Sequence, residues 1–328
     1  MKQRLKNFLD VVPTDSFGLI IALIVIVTIF SLLNPNYFTM VNLRNILVAA
    51  SVTGLVAIAE TYLIIGLLID LSVGSVVAFA SVFTALLLQR GYDFPLTIII
   101  VLTSGILVGL VNAVAINKVK LEPFIATLAT MSIIRGLAYI ISDGLPIYIM
   151  DNAVLTFGNG TIVGIPIAVL ILVLAFIVFG IVLAQTRFGR NIYIIGGNRE
   201  AARLAGLNPE RMTIILYIIS GVLSSLGGII LAARMNSGQP AAAVGLEFDA
   251  ITAAVLGGTA FSGGVGSIFG TVLGLFILQG FNTGLIMVNV PVFWQYVARG
   301  LLLLTALTID YIRKVNREKK LLSQSMKD

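Results

Sequence analysis

Apolar residues run in long blocks along this chain, and short polar stretches divide them into ten. The blocks cover about 17–33, 45–66, 70–89, 95–117, 122–142, 164–185, 213–233, 249–262, 265–287 and 292–311. Most of them match the roughly 20 apolar residues that carry a helix across a bilayer's hydrocarbon core. The pattern predicts an all-α, polytopic membrane protein with about ten transmembrane helices, occupying 1–328 as a single membrane domain. Two places interrupt it. Blocks two and three are split only by Leu68 to Gly74, and blocks eight and nine by a glycine-rich stretch from Gly257 to Gly266. The eighth block is short, so one or two helices are expected to be broken or re-entrant, which is tolerated where protein covers the backbone.

Composition agrees and removes several alternatives. Of 328 residues, 58% are hydrophobic and 11% charged, against about 25% charged in soluble domains. Such a chain cannot cover a soluble globule with polar surface. It has no cysteine and no histidine, which excludes thiolate nucleophiles, thiolate or imidazole metal sites and imidazole bases. No metal, cofactor or catalytic constellation is expected.

The net charge of +6 would suggest nucleic acid if it formed one patch, but it flanks the apolar blocks. With the N-terminus in the cytoplasm and ten crossings, 16 of the 21 basic residues fall on cytoplasmic segments, as the positive-inside rule requires. They include Lys2, Arg4, Lys6, Lys118, Lys120, Arg187, Arg190, Arg199, Arg203, Arg211 and the cluster from Arg313 to Lys327. Both termini are then cytoplasmic. Arg44, Arg90 and Arg234 lie opposite, with the loop 143–163, which has Asp143 and Asp151 but no basic residue. The first block follows Lys2, Arg4 and Lys6 as a signal peptide would. It ends in Asn34-Pro35-Asn36 without a small-residue cleavage site, so it reads as a retained first helix.

The loop 186–211 is the longest cytoplasmic connection and the most informative. Asn198 can cap a short helix over Arg199, Glu200, Ala201, Ala202, Arg203, Leu204 and Ala205, with Gly206 as its stop. Ala201, Leu204 and Ala205 share one face, and Arg199 and Arg203 another. Such a helix suits a partner's groove, yet a solvated loop that only sets topology explains the same residues. Arg190 and Gly197 belong to the same segment.

At the turn near Asp70, either Asp70 or Ser72 can cap the helix that starts near Val73, with Gly74 in its first turn. This turn is placed at the cytoplasmic end of spans two and three, as a tight turn or a gating element. Gly257 and Gly258 open a stretch that lacks the Gly-Lys-Ser/Thr ending of a phosphate loop, so close helix packing or an unwound segment is the better account. Glu60, Asp70, Arg135, Asp249 and Arg299 are ionisable groups within or near spans. A proton relay from Glu60 to Arg135 is one reading, and structural ion pairing the blander one. Asn112, Thr127, Gln279 and Asn282, with other neutral polar residues such as Thr283, could line a path for a hydroxylated solute, although helix–helix hydrogen bonds are the commoner use. Trp294 fits an interfacial anchor.

Taken together, these segments resemble the permease subunits of ribose-type ABC importers, bacterial uptake systems for monosaccharides and related solutes. The resemblance covers about 34–310. It rests on Asn34-Pro35-Asn36-Tyr37-Phe38-Thr39 with Asn42-Leu43, Ile69-Asp70-Leu71-Ser72-Val73-Gly74-Ser75, and Phe124-Ile125-Ala126-Thr127-Leu128 with Arg135-Gly136. Gly189-Arg190 through Gly206, Gln239-Pro240 and Asp249 through Gly264 complete it. It implies a dimer with a second copy or a paralogue, cytoplasmic ABC ATPase subunits, an extracytoplasmic solute-binding protein and a bacterial plasma (inner) membrane location in lipid. It also implies that 186–211 docks on the ATPase. Two positions depart from the family pattern: Leu67-Leu68 stand where Gly-Gly is usual, and Glu60 where an apolar residue such as Met is usual.

The expected function is import of a small sugar by alternating access, with ATP hydrolysed by partners rather than by this chain. The alternative is an autonomous proton-coupled transporter using Glu60, Asp70 or Arg135.

Overall fold

A computed structural model describes residues 16–325; Lys2, Arg4, Lys6 and Lys327 lie outside them. In chain order the helices are α1 (Ser16–Leu33), α2 (Met40–Ile65), α3 (Val73–Gln89), α4 (Phe94–Asn117), α5 (Pro123–Ile141), α6 (Asn152–Asn159) and α7 (Ile167–Gln185). They continue with α8 (Arg187–Gly197), α9 (Arg199–Leu204), α10 (Pro209–Met235), α11 (Leu246–Leu256), α12 (Ile268–Met287) and α13 (Val292–Ser325). Two small antiparallel pairs add to this, Ile147–Tyr148 with Ser237–Gly238 and Thr161–Ile162 with Ile165–Pro166.

Helix α2 is the axis of the bundle. Every residue from Ala50 to Gly66 is buried, as expected of a helix that is apolar on all sides. α10 and α12 pack beside it, while α5, α7 and α13 turn rows of Phe, Ile, Leu and Val outward, the pattern of a lipid-facing surface.

Among the described residues, seven helices are long and apolar enough to cross a membrane: α2, α4, α5, α7, α10, α12 and Val292–Ile312 of α13. The expected count of ten is not reproduced in that form. Phe17–Leu33 and Val73–Gln89 fall just below that length. The eighth apolar block is an 11-residue helix, α11, about 16 Å long and roughly half a hydrocarbon core.

The two ends of the bundle differ in charge. Arg187, Arg190, Arg199, Arg203 and Arg211 lie at one end with Lys118, where Asn117 donates to the carbonyl of Glu210 at 2.8 Å. We call this the basic face. At the far face, the loop 143–163 is structured by α6, whose N-cap Asp151 accepts from Ala153 and Val154.

Two segments enter the bundle as non-helical chain. Residues 66–72 lead from α2 to the short α3. Residues 236–245 lead from the far-face end of α10 to the short α11. Gly74, in the first turn of α3, lies against the carbonyl of Ala243 and the carboxyl of Glu247, so the two short helices begin beside each other within the bundle. Arg135 of α5 holds the second entering segment by donating to the carbonyls of Pro240 and Ala242 at 2.9 and 2.6 Å.

Candidate functional site

On the basic face, residues 186–211 form two helices where one was expected. The Thr186 hydroxyl accepts from Gly189 N–H and opens α8. Asn198 then accepts from Ala201 N–H at 2.9 Å and opens α9, while Gly206 closes the turn at φ +82°. Asn208 starts α10 by accepting from Arg211 N–H at 2.8 Å. α9 buries only Ala202; Ala201, Leu204 and Ala205 stay exposed, Leu204 at 90%. Its apolar stripe therefore faces outward. Arg203 joins α9 to α10 through Glu210 at 2.5 Å and also pairs with Glu200 at 3.4 Å. Beside it lies a groove of about 430 Å³ lined by Phe188, Ile195, Leu207, Arg211 and Met212.

α8 has the opposite relation to the bundle. It buries Gly189, Ile192, Ile195 and Gly196. Gly196 lies against the carbonyl of Ile65, the last residue of α2, and against Gly264. The Tyr193 hydroxyl donates to the carbonyl of Gly266 at 2.8 Å. One short helix thus touches the end of α2 before the first chain break and the glycine-rich stretch after α11.

Both breaks end their helices in the same way. After α11, Gly258 adopts φ +90°, Gly258 N–H donates to Val255 and Thr259 N–H to Ala254. After α2, Leu67 adopts φ +59°, its N–H donates to Ile64 and that of Leu68 to Leu63. Both are Schellman caps, whose left-handed residue is usually glycine.

Asp70 is not at a bundle end, which corrects the sequence-based placement. It is buried among α3, α4 and α10, where one carboxyl oxygen accepts from Ser72 N–H at 2.9 Å and Ser72 hydroxyl at 2.5 Å. The other accepts from Ser220 at 2.8 Å. Asn112 donates to Ser72 at 3.1 Å and to Asp70 at 3.5 Å, and Tyr217 donates to the carbonyl of Ile69 at 2.7 Å. Ser220 lies 11 residues into α10 from Pro209, about 16 Å along its axis. Ser72 makes no side-chain cap on α3; its hydroxyl is engaged by Asp70.

A groove of about 400 Å³ opens between α2, α10, α11, α12 and α13, within the range of small-molecule sites. Its polar lining comprises Thr53, Arg234, Asp249, Gln279, Asn282, Thr283 and Arg299. Gln279 donates to the Thr53 hydroxyl at 2.9 Å, and Arg299 faces Asp249 at 3.7 Å. Ala49, Val52, Leu231, Met235, Leu246 and Ile286 supply the apolar part of its wall.

The family described as the permease component of branched-chain amino acid transport systems matches residues 42–307. The chain belongs to this permease family. It is 40% identical over 298 residues to the ribose import permease protein RbsC of Bacillus subtilis, covering 90% of this chain and 92% of that protein. It is 41% identical over 304 residues to the L-arabinose transport system permease protein AraH of Escherichia coli, covering 92% and 93%. The probable ABC transporter permease protein YphD of Escherichia coli is 39% identical over 300 residues, covering 91% and 90%. No solved structure matches. This is a multi-pass permease component and not itself an enzyme.

Within this permease the sequence-predicted residues separate into distinct places. Arg190, Gly197, Asn198, Arg199, Glu200, Ala201, Ala202, Arg203 and Gly206 share the basic-face segment. Asp70, Ser72 and Asn112 form the interior nest, with Gly74 just beyond it. Gly257 packs against Gly270 on α12, the expected close helix packing. Of the four pathway candidates, only Gln279 and Asn282 line the groove; Asn112 donates within the nest, and the Thr127 hydroxyl donates to the carbonyl of Pro123 in its own helix. Glu60 and Arg135 do not pair. Glu60 is fully buried with both oxygens lacking a partner among the described residues, and its acidic neighbours are Asp70 and Glu247. Arg135 is committed to Pro240 and Ala242. Sequence reasoning listed Asp249 and Arg299 as separate in-span charges and missed their pairing across 50 positions, for which no local signal exists.

Proposed function

We propose that this chain is the membrane-spanning permease subunit of an ATP-binding-cassette importer for a monosaccharide, a pentose or hexose, or a similar small hydroxylated solute. The observation that carries this reading is the double contact of α8, on Ile65 at one chain break and on Gly264 and Gly266 at the other. A partner ATPase pressing on α8 and α9 would bear at once on the end of α2, where the 66–72 segment starts, and on the stretch that follows α11. The exposed stripe Ala201, Leu204 and Ala205 and the adjoining groove fit such a partner. The ribose and arabinose relatives favour a sugar over the branched-chain amino acid in the family's description.

In this reading the chain crosses a bacterial plasma membrane ten times, with α3 and α11 as the helical halves of broken crossings. The basic face and both termini are cytoplasmic. A second permease, identical or paralogous, and an extracytoplasmic binding protein complete the importer. Solute enters from the far face into the groove and leaves toward the basic face by alternating access.

The test is reconstitution with ATPase and binding protein, then replacement of Arg199-Glu200 by unrelated residues. ATP-driven sugar uptake should be lost while the bundle stays folded. Uptake that survives in an intact assembly refutes the docking assignment. The buried, unpartnered carboxyl of Glu60 favours one other reading, an autonomous proton-coupled carrier. Liposomes holding this chain alone decide it: pH-gradient-driven uptake without ATP would support the carrier.

A further inference from the structure

Two grooves meet at one ion pair. The 400 Å³ groove has Asp249 and Arg299 in its wall. A second groove of about 300 Å³ lies between α11 and α13, lined by Phe248, Thr252, Tyr296 and Gly300, and the same Asp249 and Arg299 line it too. The pair stands where the two spaces adjoin.

Its geometry leaves binding capacity unused. The guanidinium and carboxylate are 3.7 Å apart, too far for a direct hydrogen bond. Both side chains are partly open, 32% for Arg299 and 15% for Asp249. The Nε of Arg299 and the Oδ1 of Asn282 are buried without a partner among the described residues, and both residues line the larger groove. A buried donor or acceptor left unpaired is costly, so a group that satisfies both is favoured.

We propose that Asp249 and Arg299 form the solute-binding contact of this permease and that a pair of neighbouring hydroxyls is what they bind. A hydroxyl donates and accepts at once. One can donate to Asp249 while accepting from Arg299, and its neighbour can donate to Asn282. A cationic solute would face the guanidinium, and an anionic one the carboxylate, so a neutral polyol fits both. Thr53, Gln279 and Thr283 add uncharged polar wall, and the guanidinium of Arg234 in the same groove already donates to the carbonyl of Val48 at 2.9 Å. Binding there substitutes solute hydroxyls for the direct attraction between α11 and α13, loosening the partition between the grooves. This inference rests on the importer reading and names the contact through which its solute passes.

The natural chain has no cysteine, so a single introduced thiol reports on the groove. Thr283→Cys is placed in the purified full-length permease, and its labelling by a small methanethiosulfonate is timed with D-ribose, L-arabinose, D-glucose or L-leucine present. Sugars should slow labelling and leucine should not. In the Arg299→Gln and Asp249→Asn backgrounds, the sugar concentration giving equal protection should rise roughly tenfold or more. A double variant, Asp249→Asn with Arg299→Gln, leaves no lone charge and serves as the control for folding. It should also lose protection while eluting as a single folded species. Unchanged protection in these variants, protection by leucine, or no protection by any sugar in Thr283→Cys alone overturns the proposal. ATP-driven sugar uptake by the assembled importer is a separate measurement: its absence would overturn the importer reading, whereas uptake without sugar protection would overturn only this contact.

Discussion

The N–H of Gly264 donates to the carbonyl of Ile65 at 2.8 Å, joining the end of helix α2 to the stretch that follows α11. Gly196 of α8 fits against the same carbonyl with no room for a Cβ. Gly196→Ala should therefore push α8 off this junction. The expected cost is about 1–3 kcal/mol of stability, with a larger loss of ATP-driven uptake than of ATPase binding. Thermal unfolding in detergent and uptake by the reconstituted importer check both parts.

Gly74 and Glu247 bring the two short helices together. An added methyl at Gly74 meets the Glu247 carboxyl and the Ala243 carbonyl, the latter at 2.7 Å. Gly74→Ala should lower stability by about 1–3 kcal/mol. Gly136→Ala, where a Cβ meets nothing within 4 Å, should be neutral or slightly stabilising in the same assay.

Leu67 holds a left-handed backbone, φ +59°, where the resembling family has glycine. For a side-chain-bearing residue that conformation costs about 1–2 kcal/mol, partly offset by the greater chain entropy that glycine loses on folding. Leu67 is half exposed, so little packing is at stake. Leu67→Gly should raise stability by up to about 1 kcal/mol, read as a higher unfolding midpoint; a lower midpoint would disprove the strain.

Asp70 is the acceptor for Ser72, Ser220 and Asn112. Asp70→Ala would leave these buried donors unpaired and should cost about 3 kcal/mol or more. Asp70→Asn keeps an acceptor oxygen and should cost less. The ranking is measured by unfolding both variants against the parent.

At the basic face, stability and coupling should separate. Asn198→Ala removes the cap of α9 and should cost about 1 kcal/mol. Arg203→Ala breaks solvent-exposed pairs with Glu200 and Glu210, each worth about 1 kcal/mol or less, so the fold should hardly change. If α9 docks the ATPase, Arg203→Ala still lowers transport, measured as uptake per ATP hydrolysed.

Much of this arrangement was legible locally. The apolar blocks located the main helices, because transfer into lipid is a sum over neighbouring residues. Asn198 and Gly206 marked the ends of α9, since a cap is chemistry within four positions. α8 is not legible in the sequence because its Gly-Gly and β-branched residues depress helix propensity, and burial of Ile192 and Ile195 against the bundle supplies what propensity lacks. The sequence points Asp70 to a bundle end because a turn between apolar blocks ordinarily lies at the surface. Ser72 beside it, Asn112 of α4 and Ser220 of α10 provide the donors that let it lie inside.

The sequence by itself determined a membrane-embedded helical bundle, one basic face and the segment most suited to a partner, because hydropathy, charge and capping act over short stretches of chain. Only the tertiary structure decided that two short helices start side by side at Gly74 and Glu247. It alone joined Ile65 to Gly264 and set Arg299 opposite Asp249. Those relationships link positions far apart in the chain, where the path of the backbone, and no local preference, fixes which polar groups meet.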